Sequence, residues 1–247
     1  MQLLSPDEST RYFRQIIIPG IGMEGQIKIK NTSVFLSGLG GLGSISAYYL
    51  VAAGIGHLRI VDRDKVELGN LNRQILHWTD DIAKAKTDSA VDKLGRLNPS
   101  CRIEAFHEEI GEENIMDLVG DCSIIVDGTD NIQTRKTLNR ISIQKGIPFI
   151  FGGVEGLNGM ATTFLPYETP CFDCLFPGDP SHKEAPGVLG PLPGLVASIQ
   201  TLEVIKLILG MDGLLKCRLL HIQGSDMTFK MIKMEKNKNC QVCNQDR

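Results

Sequence analysis

Short apolar runs alternate with longer helical stretches through the first 150 residues. Ser33-Val34-Phe35-Leu36 is a compact apolar run that ends in Gly38-Leu39-Gly40-Gly41-Leu42-Gly43. Beyond it, Ser44 to Ala53 has helical composition, stopped by Gly54 and Gly56. His57 to Asp62 reads as a second strand that ends in an acid, and Lys84 to Leu97 as an amphipathic helix stopped at Asn98-Pro99. Arg102 to Phe106 and Ser123 to Asp127 read as strands, Ile132 to Lys145 as a helix closed by Gly146, and Pro148 to Phe151 as another strand. Upstream, Ser5 caps a helix, Pro6 takes its first position, and Glu8 closes a capping box. Strands alternating with helices predict a parallel sheet covered on both faces. With right-handed crossovers, this is a doubly wound, Rossmann-like α/β sheet.

After residue 150 the pattern changes. Gly159 to Leu165 and Cys217 to Met234 predict antiparallel strands, the second region a hairpin turning at Gly224-Ser225-Asp226. Between them a loop rich in Pro and Gly, from Pro177 to Pro193, leads into a helix with apolar positions at Leu195, Ile199, Leu202, Ile205 and Leu209. Lys230 to Lys238 alternates with Met231, Ile232 and Met234, which suits an edge strand with a protective charged face. A sheet that is parallel in its N-terminal half and continued by antiparallel strands fits one domain better than two.

Composition adds exclusions. In 247 residues, 26 Lys plus Arg against 29 Asp plus Glu give a net charge of -3, so no basic field invites nucleic acid and no polybasic anchor invites a membrane. The N-terminus lacks the basic flank and long apolar run of a secretory signal. No unbroken run of apolar residues reaches the length of a spanning helix, so none is expected, and the protein is expected to be cytoplasmic.

Seven cysteines, an odd count, argue against a disulfide framework. Cys101, Cys122 and Cys217 lie in or near apolar, strand-like stretches and read as buried, inert thiols. The other four form two Cys-x-x-Cys pairs, Cys171 with Cys174 and Cys240 with Cys243, in turn-like contexts. Four thiolates suit a closed, tetrahedral and structural zinc site. It would tie the tail, Lys236 to Arg247, back to the Cys171 loop. The expected organisation is a single domain over 1–247: a helical segment over 1–30, a nucleotide-binding part over 31–150, and an antiparallel part over 151–247 with its crossover loop at 177–193 and zinc-bound tail.

Gly-x-Gly-x-x-Gly after a strand and before a helix lets the backbone approach a phosphate at a helix N-terminus. Asp62, ending the second strand, suits a carboxylate that accepts from ribose hydroxyls. These features alone would fit an oxidoreductase using NAD. The next segments change that default. The polar loop Asp62 to Gln74, Lys86 at a helix start, and Asp127 to Asn131 all follow parallel strands, at the edge where open sheets bind ligands. Arg73 and Lys86 offer cations for phosphate, and Asp130 offers an oxygen for magnesium. A hydride-transfer enzyme has little use for that set, whereas chemistry on a nucleoside triphosphate needs it.

With these residues in view, the chain resembles the bacterial ubiquitin-activating-enzyme-like adenylyltransferases typified by MoeB, ThiF and HesA. The resemblance spans essentially the whole chain: Arg11-Tyr12-x-Arg14-Gln15, Gly38 to Gly43, Asp62 to Gln74, Lys86, Asp127 to Asn131, both cysteine pairs, and Gly187-Val188-Leu189-Gly190-Pro191. It implies that ATP and magnesium are used to adenylate the C-terminal carboxylate of a ubiquitin-like sulfur carrier ending in Gly-Gly, for molybdopterin or thiamin synthesis. On that analogy Gly38, Gly40, Gly41, Gly43, Asp62, Asn70, Arg73, Gln74, Lys86, Asp130 and Asn131 surround the nucleotide, and Asp130 holds magnesium. Arg14, Arg73, Lys86 and Asp130 are then catalytic, with Arg14 reaching in from the second subunit of a homodimer. The resemblance also concurs with zinc at the four cysteines.

One departure stands out. Many relatives carry a further cysteine in the loop before the Gly-Val-x-x-Pro stretch, whereas Gly178 to Gly187 has none, with Lys183 standing where one would be sought. Neither Lys183 nor Ser181 replaces a sulfur nucleophile, and His182 reads as a surface histidine. The chain is thus expected to stop at the acyl-adenylate and leave sulfur supply to a separate sulfurtransferase. His77-Trp78 follows the Arg73 loop, and the Trp is expected behind the site or against a second subunit. Three rivals share these features: a NAD-dependent oxidoreductase, a non-catalytic scaffold, and adenylation of another carboxylate, on a peptide or a modified tRNA.

Overall fold

The computed structural model describes residues 3–178 and 187–244; the readings made for Ser181, His182 and Lys183 lie outside the described residues. In chain order the elements are α1 Pro6–Arg11, α2 Phe13–Ile16, α3 Gly22–Lys30, β1 Ser33–Ser37, α4 Gly41–Ala53, β2 His57–Val61, α5 Lys86–Leu97, β3 Arg102–Phe106 and α6 Ile115–Val119. There follow β4 Ile124–Asp127, α7 Ile132–Lys145, β5 Phe149–Glu155, β6 Asn158–Phe164, α8 Phe172–Leu175, α9 Pro191–Leu209, β7 Arg218–Gln223 and β8 Thr228–Lys233.

Local chemistry sets several of these ends. Ser5 and Glu8 form the expected capping box on α1. Asn131 caps α7 through its side-chain oxygen, and Gly146 closes it in a left-handed conformation. The strands form one eight-stranded sheet in the order β3-β2-β1-β4-β5-β6-β7-β8, parallel from β3 to β5 and antiparallel from β5 to β8. Consecutive residues of β1 serve opposite faces. Val34 and Leu36 pack with Leu50, Leu58 and Ile60 under α4 and α5, while Phe35 packs with Leu118, Leu138 and Phe149 under α6 and α7. Both faces are buried, so the strand reads as a continuous apolar run.

Some expectations shift. α9 starts at Pro191, inside the span assigned to the crossover loop, with two prolines in its first turn where no N–H bond is lost. By length and composition α9 also passes for a membrane span, which the test for an unbroken run missed because Gln200, Thr201, Glu203 and Lys206 interrupt it. Here it packs along α4, β5 and β6, and its buried Gln200 Nε2 donates to the Asp127 carbonyl at 2.7 Å. The Cys217 to Met234 region is a hairpin as expected, but β8 shields less than its lysines suggested: Phe229, Met231 and Ile232 are exposed along it. Cys101 and Cys122 are buried, and burial pushes the Cys101 thiol up to about 12. Cys217 is a correction: it is half-buried, at φ 55° in the turn before β7.

Candidate functional site

The strand order reverses direction between β1 and β4, and in open α/β sheets the carboxyl edge at such a switch point is the crevice where ligands bind. Gly38 to Gly43 leaves β1 and Asp127 to Asn131 leaves β4, and the two loops meet backbone to backbone. Gly38 has φ +90°, and a Cβ there would lie 2.9 Å from the Gly128 carbonyl oxygen. A Cβ on Gly43 would fall 1.9 Å from the Gly38 oxygen, so neither position accepts a side chain.

Asp62, at the end of β2, grips this loop: its Oδ2 accepts from the Leu39 N–H at 2.7 Å and its Oδ1 from the Asp64 N–H at 2.8 Å. Burial raises its pKa while the nearby Lys86 charge pulls it down. Lys86 opens α5 and is buried, its ammonium 2.8 Å from Asp64 Oδ2. The turn from Asn70 to Gln74 is held by its own polar groups. Asn70 Oδ1 accepts from the Glu67 N–H, and Arg73 donates to the Gly69 carbonyl at 3.0 Å. Gln74 is buried, its Nε2 is 3.8 Å from where a Gly40 Cβ would sit, and its Oε1 has no partner among the described residues. The segment before α9 closes on this turn: a Cβ on Gly190 would meet the Asn72 carbonyl at 2.4 Å, and one on Gly41 would touch Pro193.

On the β4 side, Asp130 is exposed, while Asn131 spends its oxygen on the Gln133 and Thr134 N–H groups. Asp127 is fully buried and accepts from Thr129 N and Oγ1, each at 2.9 Å, and from Arg135 Nε at 2.8 Å. Arg135 also donates to the carbonyls of Thr129 and Gly152, and so ties the loop to β5. Sequence reading passed over Arg135, since no local motif announces a guanidinium that serves carbonyls from two distant segments.

Near the chain start, Tyr12 is buried and its hydroxyl accepts from Asn98 Nδ2 at 2.7 Å. Arg11 donates to the Leu97 carbonyl, and Gln15 to Gln26 and the Ala53 carbonyl. Arg14 alone in this group is exposed with no side-chain partner among the described residues. Trp78 is largely exposed, with the Lys93 ammonium 4.7 Å from its ring. The buried His77 behind it bonds Ser89 and the Leu39 carbonyl.

This donor set fits a magnesium nucleotide. Open glycine backbone, a helix start, the cations of Lys86 and Arg73, the Asp62 carboxylate and the exposed Asp130 carboxylate share one sheet edge.

The cysteine pairs meet 69 residues apart in sequence. Cys171 Sγ lies 3.8 Å from Cys174 and 3.6 Å from Cys240, and Cys174 lies 3.4 Å from Cys243. All four sulfurs fall within 4.8 Å of one another. Tetrahedral ligands about 2.3 Å from zinc sit about 3.8 Å apart, so the cluster is compatible with that ion. Burial pushes the Cys171 thiol up, so thiolates here need a cation beside them. The first pair opens the one-turn α8 with Cys171 at its cap, rather than lying in a turn. Buried Asn139 of α7 fixes that turn, accepting from Phe172 N and donating to Asp173 Oδ2 at 2.7 Å.

A doubly wound α/β sheet, with a glycine loop and an acid at its switch point and a four-cysteine cluster on an antiparallel extension, defines a class of nucleotide-binding proteins. The chain belongs to the ThiF family, whose profile matches residues 12–242. It is 39 % identical over 246 residues to the adenylyltransferase and sulfurtransferase MOCS3 of Culex quinquefasciatus, covering 97 % of this chain and 56 % of that protein. To the SAMP-activating enzyme E1 of Haloferax volcanii it is 38 % identical over 245 residues, covering 97 % of this chain and 90 % of that one. The chain thus spans about half the length of its MOCS3 relatives, with 56 % of the Culex protein covered. Among solved structures, PaaA superposes with a TM-score of 0.81 at 29 % identity, covering 96 % of this chain and 76 % of that one. E. coli MccB with MccA-N7isoASN gives 0.86 at 23 % identity, covering 98 % and 76 %, which speaks for the fold.

Proposed function

We propose that this chain is an ATP-dependent adenylyltransferase that activates the C-terminal carboxylate of a ubiquitin-like sulfur carrier ending in Gly-Gly. The observation that carries the reading is the crevice edge, where Lys86, Arg73 and Asp130 stand beside the Gly38–Gly43 loop and Asp62. A hydride-transfer enzyme has no use for two cations and a free carboxylate there. The similarity to the SAMP-activating enzyme over 90 % of its length supports the same reading.

In this scheme Asp62 holds the ribose, and Asn70, Arg73, Gln74 and Lys86 hold the phosphates. Asp130 binds magnesium, which neutralises phosphate charge when bound, and Asn131 shapes the loop as the cap of α7. The carrier carboxylate attacks the α-phosphorus in line, pyrophosphate leaves, and an acyl-adenylate remains. Catalysis rests on positioning and charge neutralisation, and no general base is needed because the carboxylate is already ionised. Arg14, uncommitted in its own subunit, acts across a homodimer. The four cysteines hold zinc, and the whole chain works as one adenylation unit in the cytoplasm. With no cysteine between Pro177 and Pro193, a separate sulfurtransferase supplies sulfur.

Exchange of labelled pyrophosphate into ATP, run with a panel of carriers ending in Gly-Gly, tests this. Carrier-dependent exchange that disappears when the last glycine is removed is the expected result. ATP binding without exchange on any carrier would replace the substrate, and absence of ATP binding would overturn the reading altogether.

A further inference from the structure

Beneath the glycine loop, His77 is 3 % exposed, and its two ring nitrogens have different partners. Nε2 faces the Leu39 carbonyl oxygen at 3.1 Å and Nδ1 faces Ser89 Oγ at 2.9 Å. A carbonyl only accepts, so Nε2 must carry the proton. Nδ1 is then an acceptor, and the Ser89 hydroxyl donates to it. Ser89 Oγ in turn accepts from Lys93 Nζ at 2.8 Å, and Lys93 is paired with the buried Asp81. With the ring neutral the hydrogen bonds run from Lys93 through Ser89 and His77 to Leu39, with the Asp81 carboxylate as a second acceptor beside the Ser89 hydroxyl.

Leu39 is gripped at both ends. Its N–H donates to Asp62 Oδ2 at 2.7 Å, and its carbonyl also accepts from Ser44 Oγ at 3.0 Å. In a trans peptide the C=O of one residue and the N–H of the next point in opposite directions. Drawing the Leu39 carbonyl down to His77 therefore turns the Gly40 N–H away from the core. No acceptor takes that N–H among the described residues.

We infer that His77 is a positioning residue that sets the phosphate loop, its Nε2–H holding the Leu39 carbonyl so that the Gly40 N–H faces the crevice and donates to a nucleotide phosphate. The inference rests on the nucleotide reading proposed above and adds a residue to it. Neutrality of the ring is consistent with its surroundings: burial, with Lys86 and Lys93 of α5 nearby, takes its pKa down to about 4 against the opposing pull of the Leu39 bond and Asp81.

The test is calorimetric titration of the full chain with a non-hydrolysable ATP analogue and magnesium, with melting temperatures measured alongside. His77→Phe keeps the ring and loses the donor, and should weaken binding about tenfold. His77→Gln places an amide N–H where Nε2 was and should rescue affinity to within about threefold, whereas His77→Asn, reaching only the Nδ1 position, should not. Nitrogen-15 NMR of the wild type should show a protonated Nε2 at pH 7, and the neutral Nδ1–H tautomer would overturn the proposal even if the Phe variant fails to fold. If the wild type binds and His77→Phe binds as tightly, the His77 role falls and the nucleotide reading stands. If the wild type binds no analogue, the nucleotide reading falls and takes this role with it.

Discussion

The crevice lies at the start of α7, beside its Asn131 cap, and the cysteine cluster packs against Asn139 further along the same helix, yet the two spend their polar groups in opposite directions. At the crevice Lys86, Asp62 and Arg73 bond their neighbours, yet other polar groups are left over: the exposed Asp130 carboxylate, the Gly40 N–H and the Gln74 Oε1, which has no partner among the described residues. At the cysteine end the functional atoms converge on one another, within 4.8 Å, and Asn139 saturates the turn that carries them. An arrangement that keeps unspent groups can act on something else, whereas one that spends them internally can only hold the chain together. The two regions should therefore fail separately.

The largest effect expected is at the closed end. Structural zinc contributes on the order of 10 kcal/mol to folding in small zinc domains. Cys174→Ser, or prolonged chelation, should lower the melting temperature by more than about 10 °C and free the tail that carries Cys240 and Cys243. Calorimetry with metal analysis checks this, and a protein that melts unchanged after losing its metal would show that the cluster ties down nothing.

Lys86→Ala probes the open end. Removing a preorganised cation from a phosphate site costs about 10²–10³-fold in rate, so carrier-dependent pyrophosphate exchange should fall by that factor. Lys86 is buried and its charge steadies the buried Asp62, so the melting temperature should fall by about a few degrees while zinc content does not change. Coupled losses of exchange and zinc would break the comparison. A smaller, sharper effect concerns Arg14. Arg14→Ala and Lys86→Ala should each be nearly inactive alone. Mixed and allowed to exchange subunits, they should recover about a quarter of wild-type exchange, because in the proposed homodimer half the dimers would then contain one intact site. No recovery would place Arg14 in its own subunit's chemistry or in none.

What the sequence disclosed follows the range of the forces involved. β3 and α7 came out at Arg102–Phe106 and Ile132–Lys145, the expected bounds, because a strand period, an Asn cap and a closing glycine are all local signals. The strand-loop order alone also places Gly38 to Gly43, Asp62 and Asp127 to Asn131 at the carboxyl ends of parallel strands, with Lys86 opening the helix that follows. By contrast α3 was expected only as part of a helical segment over 1–30 and given no bounds of its own, since Gly22 and Gly25 mask a helix that packs its Gln26 and Ile29 inward. α8 is a single turn with no period to read. His77, Arg135 and Asn139 stayed hidden for a shared reason: each bonds backbone groups that arrive from another part of the chain.

The smallest effect is a pH dependence that sharpens the contrast from the crevice side. His77, facing Lys86 and Lys93 and the Asp81 carboxylate, has its pKa pushed from 6.5 down to about 4 in the fold. Between those values the unfolded chain binds a proton that the native state refuses, so stability rises with pH and is lost as pH falls from about 6.5 towards 4. His57, also lowered by burial, adds in the same direction. Asp81, held below the usual carboxylate range by Lys93, the Trp78 N–H and Lys84 despite the cost of burial, contributes stability that disappears only at lower pH, as the solution passes below its ordinary value of 3.8. Urea midpoints at pH 7 and pH 5 should therefore differ in the wild type, and His77→Gln should shrink the difference, leaving His57 set against the buried Asp62 and Asp127, whose raised pKa values act in the opposite sense. If the variant keeps the full slope, His77 binds its proton equally well in the folded and unfolded chain, and the dependence belongs to other groups such as His57.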